Sequence, residues 1–399
     1  MNRPAFQSAL RRIPAALLAG GAVLLVAGCA SLPSGGPRPA PLKAPETLPA
    51  RLVGNFFLVE TPQRGGRPSR LLVDTGSSIN YVSPRLAEAL ALKERAARTV
   101  RVESAHGGTA TLPAVTLRRL QLGAARFERV PAAVFDFAEL SAHLGLTVDG
   151  LVGFPFFRDL VVTLDYPNAR LVLAPSGTAL PAGAGVSTLA FNNEQRVPFI
   201  PVQLGNESFA ALIDSGSDGA LMLNPLGLHP RFQFGPRAGT IVSSLAGDRP
   251  QMIGRLGQEL LVGTHAIRRP IVDLTQHVSA LGGELLRHFA VTFDQRRNLV
   301  AFARGTGGAI VPEPRRSTGL GLARAPAYWR VVAVVPETPT SALGVRPGEL
   351  IVRINGEPVG RWTHERYARL LATAAKITFT FLVGADERDV EIPVFELVP

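Results

Sequence analysis

The sequence predicts a mainly β protein: two duplicated β lobes related by pseudo-twofold symmetry, followed by a small α/β domain. Three observations carry this reading. The run LLVDTGSS, Leu71 to Ser78, returns as ALIDSGSD, Ala211 to Asp218. The segment from Leu151 to Ala174 returns, with an offset of 129, from Ala280 to Ala303, so that Gly153 falls on Gly282, Thr163 on Thr292 and Asp165 on Asp294. After a Gly/Pro/Arg-rich stretch, Gly305 to Ser317, the chain changes character. Internal repetition on this scale means that one structural unit occurs twice.

Length and composition agree. A chain of 399 residues with 46% apolar and 18% charged residues is globular and long enough for two or three domains. Its formal charge of +11 raises a nucleic-acid reading. Yet the basic residues are almost all arginine, spread along the chain, with no basic run interleaved with aromatics; that pattern argues against nucleic acid as a partner.

Taken in order, the N-terminus has Arg3, Arg11 and Arg12 without an acid, then a small apolar run from Ile13 to Ala27 ending in Val26-Ala27-Gly28-Cys29. That run is short for a membrane span and reads as a secretory signal. Cys29 is the only cysteine, so it forms no internal disulfide; an incidental core cysteine is the alternative. Its position resembles the lipobox of bacterial lipoproteins. The resemblance implies a signal peptide over 1–28, lipidation of Cys29 and a membrane anchored through lipid. With Ala30 following, it points to the periplasmic face of the bacterial envelope, at the outer rather than the inner membrane. Residues 29–50, rich in Pro, Gly and Ala, read as an extended tether.

The first lobe is expected over 51–180 and the second over 181–305. Each carries an apolar run, an Asp-centred turn and further turn-punctuated segments that suit antiparallel strands. An amphipathic helical stretch is expected after both Asp turns. Each repeat of the Leu151–Ala174 type reads as a buried turn, a short helix and a two-stranded hairpin. Two independent β-domains sharing no site is the alternative.

A carboxylate at the end of an apolar run is costly to bury unless it is hydrogen-bonded or paired. One such residue can be an Asx-turn; two at the same place in a duplicated unit can meet on the axis. Asp74 and Asp214 would then share one proton, one acting as acid while the other acts as base, activating a water and protonating an amide carbonyl. Gly76 and Gly216 let the backbone approach the carboxylates, and the hydroxyls of Thr75 and Ser215 suit hydrogen bonds across the lobes.

The Asp-Thr-Gly and Asp-Ser-Gly turns, each followed by an apolar-apolar-Gly element (Leu151-Val152-Gly153; Ala280-Leu281-Gly282), resemble the aspartic proteases, and the short lobes resemble their retropepsin-like bacterial members. The resemblance covers about Arg51 to Gly305. It implies a two-lobed acid-protease fold, a cleft between lobes and peptide-bond hydrolysis by water, with no cofactor and no metal. It places a flap over Val100 to Val115 with Gly107 and Gly108 at its tip, and a counterpart over Ile241 to Ile253. No clear equivalent of the pepsin flap tyrosine is present, and the second apolar-Gly element is the looser match.

Other motifs fail. Ile213 stands where a trypsin-like Gly-Asp-Ser-Gly needs its first glycine, which sets aside Ser215 as a nucleophile. The seven histidines lack metal-ligand spacing. Gly305 to Ile310 lacks the dinucleotide pattern.

Residues 306–316 read as a linker and 317–399 as the third domain. Strand-like runs at Val331–Val335, Leu350–Ile354, Lys376–Leu382 and Arg388–Val394, with a helical stretch from Thr363 to Ala374, occur in an order that resembles a bacterial-type PDZ domain. The resemblance puts Gly319, Leu320, Gly321 and Leu322 in the carboxylate-binding loop, whose N–H groups hold a chain terminus while the peptide adds a strand. Glu349 stands where the family more often has Asp. The expected partners are protein or peptide substrates and a PDZ ligand peptide. Both motifs in one chain make a monomer sufficient, a dimer with lobes paired between chains being the alternative. The reading from another class is a non-catalytic, peptide-binding envelope scaffold.

Overall fold

The computed structural model describes residues 38–39, 42–62, 66–92, 98–103, 109–244, 247–305 and 307–399. Residues 1–28, Cys29, Gly107 and Gly108 lie outside the described residues.

The centre of the molecule is a six-stranded array shared by both lobes. Its order is Val186–Ala190, Leu299–Ala303, Ala290–Asp294, Leu160–Asp165, Arg170–Pro175 and Glu46–Val53. The two inner strands run antiparallel, and Thr163 pairs with Thr292, its own repeat equivalent. Val161 pairs with Asp294 and Asp165 with Ala290, so the register is symmetric about the threonine pair. The pseudo-twofold axis therefore passes between these strands, where Thr163 Oγ1 and Thr292 Oγ1 are 2.8 Å apart.

Each lobe builds its own sheet outward from this array on one plan. In the first lobe, Ser69–Asp74 pairs in parallel with Gly150–Gly153, which pairs antiparallel with Asn80–Val82. In the second, Glu207–Ile213 pairs in parallel with Ala280–Leu281, which pairs antiparallel with Leu221–Leu223. The strands Gly150–Gly153 and Leu221–Leu223 are buried throughout, so they read as short continuous runs without alternation. One hydrophobic cluster passes through both lobes, joining Val162, Leu164 and Val73 of the first to Ile213, Val291 and Phe293 of the second. The lobes share a core, which removes the reading of two independent domains.

Three expectations are corrected. Residues 46–50, placed in the tether, form the first part of the strand Glu46–Val53, and Arg38–Pro39 pairs with the strand Ala125–Val134. The alternation of Leu48, Ala50 and Leu52, packed against the core, outweighs the Pro-rich surroundings. The helix expected after each Asp turn forms once, as Pro84–Leu90, with Pro84 in its first turn and the Ser83 hydroxyl accepting from Leu86 N at 3.2 Å. In the second lobe Pro225 and Gly227 interrupt the segment and Leu226 is left 87% exposed. The 306–316 linker is docked. Ile310 bridges Ile267, and Arg315–Ser317 pairs with Phe395–Val398, starting the third domain before Ser317.

The third domain is a sheet in the order Leu320–Arg324, Trp329–Val334, Leu350–Ile354, Lys376–Val383, Asp386–Pro393, with the helix His364–Thr373. The Thr363 hydroxyl caps that helix by accepting from Arg366 N at 3.2 Å. Its core includes Trp329, Ile351, Ile354, Phe379 and Phe381. A separate apolar cluster joins Ile253 and Ile271 of the second lobe to Val335, Leu397 and Val398 of the third domain. Beside it the buried Arg255 donates to the carbonyls of Pro399, Arg269, Pro312 and Glu313, tying the chain end and linker to the second lobe. Among the described residues no helix is long and apolar enough to cross a membrane.

Candidate active site

Asp74 ends the strand Ser69–Asp74 opposite Gly153, and Asp214 follows Glu207–Ile213, its N–H donating to Leu281 O at 3.0 Å. Each aspartate is thus held by the inner strand of its own lobe, facing the axis. They are 1% and 0% exposed. Gly76 N donates to Asp74 Oδ1 at 2.8 Å and Gly216 N to Asp214 Oδ1 at 2.9 Å. The glycines also set the spacing across the axis: a Cβ on Gly76 would overlap the Asp214 carboxyl, and one on Gly216 the Asp74 carboxyl. Only glycine lets each turn pack against the opposite lobe's acid.

The residues next to the aspartates lock the turns together. Thr75 Oγ1 donates to Ile213 O at 2.7 Å and accepts from Ser215 N at 3.0 Å. Ser215 Oγ donates to Val73 O at 2.7 Å and accepts from Thr75 N at 2.9 Å. These four buried bonds are related by the pseudo-twofold and satisfy backbone groups that would otherwise be orphaned.

Both carboxyl pKa values lie above the ordinary aspartate range. For Asp74, burial dominates, followed by the charge of Asp214; the Gly76 N–H works against them. For Asp214, burial pushes the value up to about 7 against the Gly216 N–H and the hydrogen bond with Asp74. The pair titrates as a unit, holding one proton where an isolated aspartate would hold none. The Oδ2 atoms of both acids are buried without a hydrogen-bond partner. The arrangement supplies an acid, a base and two open acceptor positions at one point.

Sequence reasoning missed the surroundings. Tyr81 and Tyr166 are fully buried beside the pair, and their hydroxyls are raised by burial first and then by aspartate charge: Asp74 for Tyr81, Asp214 and Asp74 for Tyr166. Asn80 Oδ1 accepts from Gly153 N at 3.0 Å, tying the Asp74 turn to the apolar-Gly element. Asn55 Nδ2 donates across the lobes to Asp218 O at 2.7 Å. The spacing of Asn80 and Tyr81 behind Asp74 was the available signal; Tyr166 and Asn55 had none, because they arrive from turns between other strands.

The flap expectation divides. Its strands are present as the hairpin Arg98–Glu103 with Thr109–Leu122, while its tip at Gly107 and Gly108 lies outside the described residues. The second-lobe counterpart is the hairpin Phe232–Ser244 with Gly247–Leu256. In the third domain Gly319 adopts a left-handed φ of 75°, which suits glycine, and Leu320 to Leu322 enter the edge strand. The N–H groups of Gly319 and Leu320 already donate to Ser317 Oγ and Thr318 Oγ1 at 2.8 and 3.4 Å.

With this geometry in place, comparison with known families gives two matches. Residues 62–156 match the family described as aspartyl protease, and residues 330–383 match the PDZ domain. The chain therefore carries a retropepsin-like aspartyl-protease domain and a C-terminal PDZ domain. No curated protein matches it. The first match ends within the first lobe; the second lobe is joined to it by the repeated strand pairing and the shared core.

Proposed function

We propose that the protein is an aspartic endopeptidase that hydrolyses peptide bonds with a water activated between Asp74 and Asp214. The carrying observation is that the two carboxyls, one from each lobe, meet across the axis with one inner oxygen each fixed by a glycine N–H and one outer oxygen each unpartnered. In the singly protonated pair, the ionised carboxyl takes a proton from water as its oxygen bonds the scissile carbonyl carbon. The protonated carboxyl gives its proton to the carbonyl oxygen. Collapse of the tetrahedral diol breaks the C–N bond: the newly protonated carboxyl gives its proton to the leaving nitrogen while the other takes a proton from a diol hydroxyl, which restores the singly protonated pair. Such acid–base assistance contributes roughly 10²–10⁴-fold.

The PDZ domain recruits peptides to the same molecule, its edge strand being paired on one side only among the described residues. The sequence around Cys29 supports a lipid-anchored protein at the periplasmic face of the bacterial envelope, on the outer membrane, acting as a monomer. Because the chain from Glu46 onward is paired into the first lobe, the tether is shorter than its composition implies.

The test is incubation of the protein with a peptide mixture in ¹⁸O-water between pH 4 and 8, read by mass spectrometry. New C-termini carrying one ¹⁸O per cleavage support the reading. Folded protein that cleaves nothing would instead leave the peptide-binding scaffold.

A further inference from the structure

A cavity of about 330 Å³ lies where the first lobe, the second lobe and the PDZ domain meet. Its walls include the loop Ser217–Gly219 just after Asp214, the PDZ edge strand with Leu320, Gly321 and Leu322, and the start of the PDZ helix at His364. Among the described residues the edge strand Leu320–Arg324 pairs only with Trp329–Val334; no strand bonds its other edge, and the helix Ala138–Leu144 and the strand Phe232–Ser244 approach it around the cavity.

The charges in this cavity are separated. At one end Arg315 is paired with Glu284, and Asp218 and Asp273 act on the same guanidinium. At the other end Arg324 has no ion pair among the described residues. Its guanidinium stacks over Trp329 and Tyr367, 4.6 and 5.2 Å from the ring centroids, and donates to His143 O at 3.3 Å. Its Nε is buried without a partner. The rings of His143, from the first lobe, and His364, from the PDZ helix, are 5.3 Å apart, and Nδ1 of each is likewise buried and unpartnered. Burial, and then the charge of Arg324, hold both imidazoles below their ordinary pKa; His364 acts on His143 as well. A half-buried guanidinium without an anion is a costly arrangement that a bound anion relieves.

We propose that this junction selects an acidic side chain: a peptide lying along the unpaired edge of Leu320–Arg324 sets an Asp or Glu carboxylate against Arg324, His143 and His364. Two of the three groups come from the PDZ domain and one from the protease lobe, so the site is complete only with the two docked. The inference rests on the PDZ domain taking peptides, and it names what the groove selects.

The experiment measures binding without turnover, in the full chain carrying Asp214→Asn. Immobilised protein is offered random octapeptides in three pools: free chain end, amidated, and amidated without Asp or Glu; retained peptides are read by mass spectrometry. The account predicts at least tenfold enrichment of peptides bearing Asp or Glu over the third pool. Acidic residues enriched in the amidated pool support the proposal, whereas enrichment of the free-ended pool alone would leave selection to the Gly319 loop and overturn it. Arg324→Gln should abolish the enrichment. His143→Asp, which puts a carboxylate into the cavity from the protease side, should do the same and serves if Arg324→Gln does not fold. Equal retention of the neutral pool, unchanged selection by either folded variant, or retention of no pool would overturn the proposal. Because nothing is cleaved, the result is independent of whether the dyad is active.

Discussion

At the scale of residues, the chemistry turns on two acids whose pKa values are both raised by burial. Activity needs one of the pair ionised and the other protonated; Asp214 gives up its proton at about 7 and its charge then helps hold the Asp74 proton, so kcat/KM should persist at neutral pH and above it. A pH–rate profile with its alkaline limb complete below pH 5 would contradict this. The same shift bears on stability. A group whose folded pKa lies above its unfolded value, near 3.9 for aspartate, contributes stability below the unfolded value and loses it as pH rises through the folded one. Asp214→Asn should therefore melt higher than the wild type at pH 8, by about 2–4 °C, and the difference should shrink toward pH 5. Gly76→Ala drives a methyl into the Asp214 carboxyl and should lower kcat by roughly 10²-fold or more, checked by steady-state kinetics with circular dichroism as the folding control. Asp74, Asp214 and the glycines were legible because chemistry and steric approach fix both residue type and spacing. Tyr166, Asn55 and Arg324 were not, since a buried hydroxyl, amide or guanidinium carries no mark in the chain until its neighbours arrive from far away in sequence.

At the scale of elements, the hydroxyl exchange between the two Asp turns and the threonine pair on the axis hold the lobes in register. Thr75→Val would leave Ile213 O and Ser215 N without their side-chain partner, a loss of about 1–3 kcal/mol, seen as a lower denaturation midpoint together with reduced kcat. Thr163→Val removes only the hydroxyl contact with Thr292 and should cost about 1 kcal/mol with kcat nearly unchanged. The hairpins that follow Leu151 and Ala280 were readable because each repeats the same alternation and turn. The helix after the first Asp turn was readable from Ser83 and Pro84, whereas its missing counterpart was masked by the apolar residues around Pro225 and Gly227. The strand Glu46–Val53 was hidden by proline-rich composition. Its place mirrors that of Val186–Ala190 at the other end of the shared sheet, so symmetry, more than local propensity, accounts for it.

At the scale of the whole molecule, the PDZ domain is built into the protease. Val335, Leu397 and Val398 share an apolar cluster with Ile253 and Ile271, and Arg255 holds the linker and chain end. Val335→Asp buries a charge in that seam and should release the PDZ domain, read as faster proteolysis near residues 305–316 and a larger radius of gyration in solution scattering. Sequence foresaw the order of domains but not this docking, because the seam is made of isolated apolar residues from four separate segments. The central claim is that one site is made from two lobes of a single chain. Its most direct test compares peptide cleavage by the wild type, by Asp74→Asn, by Asp214→Asn and by an equal mixture of the two variants. The account predicts that each variant retains less than about 1% of wild-type kcat/KM and that mixing restores nothing. Substantial activity in either variant alone would contradict the shared pair, and recovery on mixing would mean that lobes of different chains build the site.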